Sequence, residues 1–332
     1  MNVAVLGAGA WGTAISRAAT ARHAVLLYAR DSEQADAIRR DRENSRYLPG
    51  VALPPRLEVT SRLEAAVAHA RDGLLIIATP TDALRGILQA LPARSGSMSI
   101  VWLCKGFEKA SSRLAHEVVQ EVMGAQVHAG PLSGPSFAQE VAAGLPTALT
   151  VAGAAPFCES VTEALHGGAL RIYSSDDIIG VEVGGAVKNV LAIATGICDA
   201  LELGLNARAA LITRGLAEMT RLGCALGAKP DTFMGLTGVG DLILTATGDL
   251  SRNRRIGLEL GRGVAKEAAL AKLGHVAEGV HSAHAVRARA RAAGVEMPIT
   301  EAVCAVLDGA LSPPQALDRL LAREPKREAL QP

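Results

Sequence analysis

The chain has 332 residues, a net charge of +1, 49% apolar residues and only 3% aromatic ones. That length allows about two domains, with cores built from Ala, Leu, Val and Ile rather than from rings. The balanced charge leaves no global field for nucleic acid or an acidic membrane surface. The five cysteines (Cys104, Cys158, Cys198, Cys224 and Cys304) are far apart and form no C-x-x-C pair. They give no disulfide framework, and a cytoplasmic location is the expectation. The first residues enter a strand at once, leaving no room for a signal peptide. The nearest approach to a membrane span, Val183–Cys198, is interrupted by Lys188, so no membrane insertion is expected.

In chain order, Val3–Ala14 (VAVLGAGAWGTA) comes first. An apolar run, then Gly7, Gly9 and Gly12, then an amphipathic start, predicts a strand that turns sharply into a helix. Gly7 allows the tight turn, Gly9 lets a pyrophosphate reach the backbone, and Gly12 lets helix pack on strand. The helix N-terminus would then hold the anion. A strand over Ala24–Ala29 and a polar helix over Asp31–Arg42 follow, and Val51–Pro55 reads as a proline-rich loop. Gly73–Ala78 and Ser99–Cys104 read as buried strands. Thr81–Leu91 and Ser112–Met123 read as helices, and Thr147–Ala152 and Leu170–Tyr173 as extended. Strands alternating with helices predict a parallel, doubly wound, Rossmann-type α/β sheet.

From about Asp176 strand-like runs give way to helical periodicity. The expected helices are Asp177–Ala200, Ala207–Leu226, Asn253–Arg262, Lys266–Lys272, Val280–Ala293, Pro298–Leu307 and Pro314–Leu320, with a polar, frayed tail over 323–332. The expected organisation is therefore a dinucleotide-binding domain over 1–180 and an all-α domain over 181–332.

Ligands of a doubly wound sheet bind beyond the carboxyl ends of its strands. The second strand ends at Arg30, which suits a 2′-phosphate, yet Asp31, which suits ribose hydroxyls, is next. Both nicotinamide cofactors are expected to be usable there, with NADP at least tolerated, and an arginine opening a solvated helix is an equal alternative. Lys105, after a buried strand, puts a cation at another strand end, although most lysines are simply solvated. Ser136 and Gln139 have capping-box spacing, and with Gly134 they could offer backbone and hydroxyl groups to a ligand; a plain helix cap is the ordinary reading. Lys188 is the only charge in VGGAVKNVLAIATGIC. It either snorkels to water or sits desolvated with a lowered pKa, as a proton donor needs. Gly184 and Gly185 beside it favour the second reading, since they admit another backbone. The glycine-rich stretch 235–242 reads as a loop between helices, either simple punctuation or a place where backbone approaches a ligand, with Asp241 orienting Lys188 or a substrate hydroxyl. Ser251-Arg252-Asn253 opens a helix with a hydroxyl, a guanidinium and an amide, a good phosphate clamp, although charge runs are more often solvated faces. Glu278, His281 and His284 repeat every three residues, but a solvated helix face outweighs a metal site, and no metal is expected.

Taken together, GAGAWGTA (7–14), CKGFE (104–108), SGPSFAQEV (133–141), GGAVKNVLAIATGI (184–197), NARAALITRGLAEMTRLG (206–223), GLTGVGDLILT (235–245), SRNRR (251–255) and VAEGV (276–280) closely resemble bacterial NAD(P)-dependent glycerol-3-phosphate dehydrogenases, in family order over nearly the whole chain. The resemblance implies hydride transfer from NADPH or NADH to C2 of dihydroxyacetone phosphate, giving sn-glycerol 3-phosphate for phospholipid synthesis. It makes Lys188 the catalytic lysine. It implies substrate contacts at Lys105, Gly134, Ser136, Lys188, Asp241, Ser251, Arg252 and Asn253. Cofactor contacts are implied at Gly7, Gly9, Ala10, Trp11, Gly12, Arg30, Tyr47, Lys105, Ala138, Arg252, Val276 and Glu278. Ala10 stands where the family often has serine, which removes a hydroxyl and keeps the backbone N–H groups. Phe107 stands where a smaller aliphatic is usual. The implied partner is a small phosphorylated three-carbon substrate, and the apolar helical domain makes a homodimer plausible. Two rivals are a two-domain hydroxyacid dehydrogenase and a non-catalytic NAD(H)-sensing protein. The SRNRR clamp speaks against the first, and the lack of any visible partner-binding module against the second.

Overall fold

A computed structural model describes residues 1–91, 98–124, 127–273 and 277–324. The chain forms two compact units: 1–104 with 115–178, and 105–114 with 179–332. The first runs β1 (Asn2–Leu6), α1 (Ala10–Ala19), β2 (Ala24–Tyr28), α2 (Ser32–Asp41), β3 (Glu43–Asn44), β4 (Leu48–Ala52), β5 (Glu58–Thr60), α3 (Leu63–His69), β6 (Leu74–Ile77), α4 (Thr81–Ala90) and β7 (Ser99–Trp102). It continues with α5 (Ala115–Met123), β8 (Ala129–Ser133), α6 (Ala138–Ala142), β9 (Thr147–Ala152), α7 (Ala155–Leu165) and β10 (Leu170–Ser175).

Eight strands make one sheet in the order β10-β9-β8-β7-β6-β1-β2-β5. Its centre is parallel and buried on both faces, so β6 reads LLII and β7 reads SIVW without alternation. The sheet is not parallel throughout: β9 runs antiparallel to β8, with Leu132 opposite Val151. The sequence signal is blind to this, because the apolar pattern of a strand reads the same in either direction.

Several local expectations are corrected. The stretch around Val51–Pro55 is not only loop: Leu48–Ala52 pairs antiparallel with β3, and Glu43 accepts a hydrogen bond from the Gly50 amide at 2.9 Å. The helix expected from Ser112 starts at Ala115, because Ser112 takes a left-handed φ of 54° that no helix continues through. The capping box at Ser136 and Gln139 does not form. Ser136 Oγ donates back to the Gly134 carbonyl at 3.0 Å, and α6 begins after Phe137 with no side-chain cap. Helices α3 and α7 and strand β5 lie outside the expected elements.

The second unit consists of α8 (Ile178–Ala200), α9 (Gly204–Ala225), α10 (Asp241–Thr247), α11 (Arg252–Gly261), α12 (Lys266–Leu273), α13 (Glu278–Ala292), α14 (Pro298–Leu307) and α15 (Pro313–Leu321). Residues 105–114 fall outside 181–332 in sequence yet belong to this unit, because the buried side chains of Phe107 and Leu114 join its core. Helix α8 is as long and apolar as a membrane span, and 83% of its most apolar window is buried inside the protein. Gly196 and Gly257 let α8 and α11 meet backbone to backbone, where any Cβ would collide with a carbonyl oxygen of the other helix. Expectations for the tail beyond Glu324 lie outside the described residues.

Candidate active site

In the sheet unit the dinucleotide motif folds into a bare cradle. Gly7 has φ +119°, and a Cβ there would come 2.6 Å from the Ala78 carbonyl oxygen. A Cβ on Gly12 would collide with the Gly7 carbonyl, which is why α1 can lie so close to β1. Gly9 is different: its missing Cβ faces open space. Gly9 is extended and caps α1 without a side-chain bond, so Ala10, Trp11 and Gly12 open the helix without a side-chain oxygen to accept from their amides. Room at Gly9 and an uncapped N-terminus are what a pyrophosphate needs. The residues present therefore fit a dinucleotide.

Two amides brace this turn. Asn44 Nδ2 donates to the Ala8 carbonyl at 2.9 Å and to Thr13 Oγ1 at 2.7 Å, and Gln34 Nε2 donates to the same carbonyl at 2.9 Å. Neither amide stood out in the sequence, because their partner is a backbone oxygen brought near only by folding. Arg30 is exposed after β2. Asp31 caps α2, accepting from the Glu33 and Gln34 amides at 3.0 and 3.4 Å. Tyr47 is half-buried, with the Arg46 guanidinium 5.2 Å from its ring centre. Gly134 has φ +139°, and Ala138 opens α6. Val276 lies outside the described residues.

In the helical unit, three charged side chains from three separate stretches meet. Lys188, on α8, donates to Asp241 Oδ1 at 2.5 Å and to Thr245 Oγ1 at 3.0 Å. Lys105 donates to the other carboxylate oxygen of Asp241 at 2.8 Å. Thr245 in turn donates to the Asp241 carbonyl at 2.6 Å, one turn back on α10. Lys188 and Asp241 keep only 8% and 1% of their side-chain surface, so they are removed from water.

Burial dominates the electrostatics here. It pulls the Lys188 ammonium down to about 8, against the opposing pull of Asp241 and with Lys105 adding to the fall. Burial pushes the Asp241 carboxyl up, but Lys105 and Lys188 outweigh it and hold the group below the ordinary carboxylate value. Glu278, at the start of α13, is raised by burial, partly offset by Arg252, Lys105 and Lys188.

The fold explains how α8 reaches its neighbours. A Cβ on Gly184 would collide with the Thr237 carbonyl, so this glycine admits the 235–240 stretch that delivers Asp241. That stretch is a π-helical turn, Leu236–Gly240, running straight into α10 rather than a loop. Ser251 and Asn253 are buried and already engaged. Ser251 Oγ caps α11 by accepting from the Arg254 amide at 3.2 Å. Asn253 donates to Asn189 Oδ1 at 2.9 Å and accepts from the Gly279 amide at 3.0 Å. Asn253 thereby ties α8, α11 and α13 together, while Arg252 remains exposed beside it. Asn189 and Thr245 escaped the sequence reading, since a lone amide or hydroxyl on an apolar helix has no distinctive spacing. Their only sequence signal is position: one residue after Lys188, and one turn after Asp241. His284, considered for a metal, lies 2.6 Å from Asp308 Oδ1.

A separate groove of about 1300 Å³ is lined by α8, α9, α14 and α15 and includes neither Lys188 nor Asp241. At its edge Glu218 is buried and accepts from the Ile299 and Thr300 amides at 2.6 and 3.3 Å, capping α14.

Family models for the N-terminal part of NAD-dependent glycerol-3-phosphate dehydrogenase match residues 2–157, and those for its C-terminal part match 177–318. The chain is 59% identical to a glycerol-3-phosphate dehydrogenase [NAD(P)+] of Methylibium petroleiphilum, covering 100% of both chains. It is 58% identical to one from an Acidovorax species, over 99% of each. Among solved structures, glycerol-3-phosphate dehydrogenase of Coxiella burnetii superposes with a TM-score of 0.91 at 43% identity, covering 97% of this chain and 98% of that one.

Proposed function

Because the chain belongs to the NAD-dependent glycerol-3-phosphate dehydrogenase family, we propose a division of labour among its residues for that family's reaction. The enzyme reduces dihydroxyacetone phosphate to sn-glycerol 3-phosphate with NAD(P)H, reversibly, and so supplies phospholipid synthesis. The cofactor, when bound, supplies the hydride that C2 receives.

The observation that carries the residue assignment is the buried Lys188–Asp241–Lys105 cluster. As C2 accepts hydride, its oxygen gains negative charge. Lys188 stabilises that charge and delivers the proton; in the reverse direction the neutral amine takes it back. Asp241 aims the ammonium, and Lys105 keeps Asp241 ionised while adding a second cation for the substrate. Arg252 and the first amides of α11 hold the phosphate, with Gly134 and Ser136 as further contacts. Ser251 and Asn253 act at this site too, shaping it through the cap of α11 and the tie between α8 and α13. Holding the phosphate remotely lets its binding energy position the carbonyl.

The cofactor residues are Gly7, Gly9, Ala10, Trp11 and Gly12 for the pyrophosphate, Arg30 for the adenosine end, and Tyr47, Lys105, Ala138, Arg252, Val276 and Glu278 beyond it. On this reading residues 1–180 carry the dinucleotide and 181–332 the substrate, with Lys105 reaching the second unit from within the first stretch. Five free cysteines accord with a cytoplasmic location. The apolar groove, with Leu321 at 74% exposure on its rim, supports a homodimer formed by the helical unit.

The deciding assay follows oxidation of NADPH and NADH by dihydroxyacetone phosphate, with unphosphorylated dihydroxyacetone as control. Turnover of the phosphate alone is expected. Absence of turnover with both cofactors would overturn the reading.

A further inference from the structure

Helices α8 and α11 lie side by side and run in the same direction, and their contacts advance four residues at a time. Asn253 donates to Asn189 Oδ1 at 2.9 Å. A Cβ on Gly257 would come 2.1 Å from the Ile193 carbonyl oxygen, and one on Gly261 would come 3.1 Å from that of Ile197. Bare backbone at these glycines gives closeness but seats no side-chain ridge in a groove, so it does little to stop one helix sliding along the other.

Side chains must therefore fix the register, and the strongest tie is Arg254. Its Nε and Nη2 reach Asp199 Oδ2 at 2.9 and 2.8 Å, and its Nη1 donates to Asp249 Oδ1 at 2.9 Å. Arg254 and Asp199 keep only 12% and 15% of their side-chain surface, so this pair is largely shielded from water. Arg208 of α9 donates to both oxygens of the Asp199 carboxylate at 3.3 Å, which holds that acid from a second helix. A planar guanidinium with all its nitrogens engaged fixes direction as well as distance, which a point charge does not.

This register sets the distance from Lys188, on α8, to the first turn of α11, which holds the phosphate in the reading above. A slip of one residue would move that turn by about 1.5 Å along α8. Displacements of that size cost an aligned substrate heavily. We propose that Arg254 is a positioning residue: through Asp199 it holds α11 in register on α8, and so sets the length of substrate that the enzyme accepts, a ketone carbon one methylene away from its phosphate ester. The proposal rests on the phosphate reading of α11 and adds to it the selection of substrate length.

Arg254→Lys keeps the charge and removes the fork. Steady-state kinetics compare dihydroxyacetone phosphate with 1,4-dihydroxy-2-butanone 4-phosphate, which is one methylene longer. Inorganic phosphate serves as a competitive inhibitor that needs no fixed span. In Arg254→Lys, kcat/KM for dihydroxyacetone phosphate should fall about tenfold or more, and its advantage over the longer ketone should shrink by a similar factor. Inhibition by phosphate and NADPH affinity should stay within about twofold of wild type, the second showing that the variant folds. Asp199→Asn, which loosens the same tie from α8, should do the same, and the double variant should be no worse than the poorer single one. Arg262→Lys makes the same exchange at the far end of α11, beside Glu259, and should change nothing. An unmoved preference between the two ketones, phosphate inhibition that weakens as much as turnover, or an equal effect of Arg262→Lys would overturn the proposal. A wild type that inorganic phosphate does not inhibit would instead remove the phosphate site on which it depends.

Discussion

Lys188 Nζ and Asp241 Oδ1 lie 2.5 Å apart, on elements 53 residues distant in sequence, with almost none of either side chain open to water. The pair makes an amine whose pKa of about 8 falls within reach of the working pH. The first prediction follows from the sign of that shift. Reduction needs the protonated amine, so its kcat/KM should fall as pH rises through about 8; oxidation needs the neutral amine and should rise over the same range. Lys188→Ala should lose about 10²- to 10⁴-fold in kcat, the usual worth of a positioned proton donor, while NADPH affinity by fluorescence titration stays unchanged. Survival of turnover within a few-fold would remove Lys188 from the chemistry.

Asp241 opposes the fall in the Lys188 pKa, and Lys105 adds to it. Asp241→Asn should therefore shift the pH limb of reduction to lower pH. Lys105→Ala should shift it to higher pH. Opposite displacements in the two pH profiles are the signature; a fall in rate with an unmoved limb would mean that Asp241 only shapes the site.

Arg252 is exposed at the start of α11, while Ser251 and Asn253 are buried and bonded. Arg252→Ala should raise KM for dihydroxyacetone phosphate by about tenfold or more, the loss of one charge-assisted contact, with a smaller change in kcat. Steady-state kinetics check it, and an unchanged KM would refute the phosphate clamp.

Glu218 is held by two amides of α14, and burial pushes its carboxyl up to about 7 despite them. A carboxyl raised in the folded state binds its proton more tightly there than in the unfolded chain. Its stabilising contribution is therefore complete below the unfolded value of about 4.5 and is lost as pH rises through about 7. The Tm advantage of wild type over Glu218→Gln should shrink between pH 5 and pH 8. Calorimetric scans at both values read it directly, and an advantage that grows toward pH 8 would contradict it.

The strand–turn–helix at Gly7–Gly12 was legible in spacing alone, because Gly7 and Gly12 answer local steric demands and Gly9 leaves room for a ligand. The sequence by itself also determined the helical second half, since periodicity is a local property, and it singled out Lys188 as a charge in an apolar run. It did not reveal the antiparallel β8–β9 pairing, because strand direction depends on the partner and a strand's apolar pattern reads the same in either direction. It gave no sign that 105–114 joins the helical core, a matter settled by where Phe107 and Leu114 find apolar contact. Nor could it assign Asn44, Asn189 and Thr245, each of which meets a partner 31 to 64 residues away. Only the tertiary structure brought Lys105 and Lys188 onto the two oxygens of one buried carboxylate. That convergence sets the proton affinity of the lysine, because desolvation and charge pairing act through space and not along the chain.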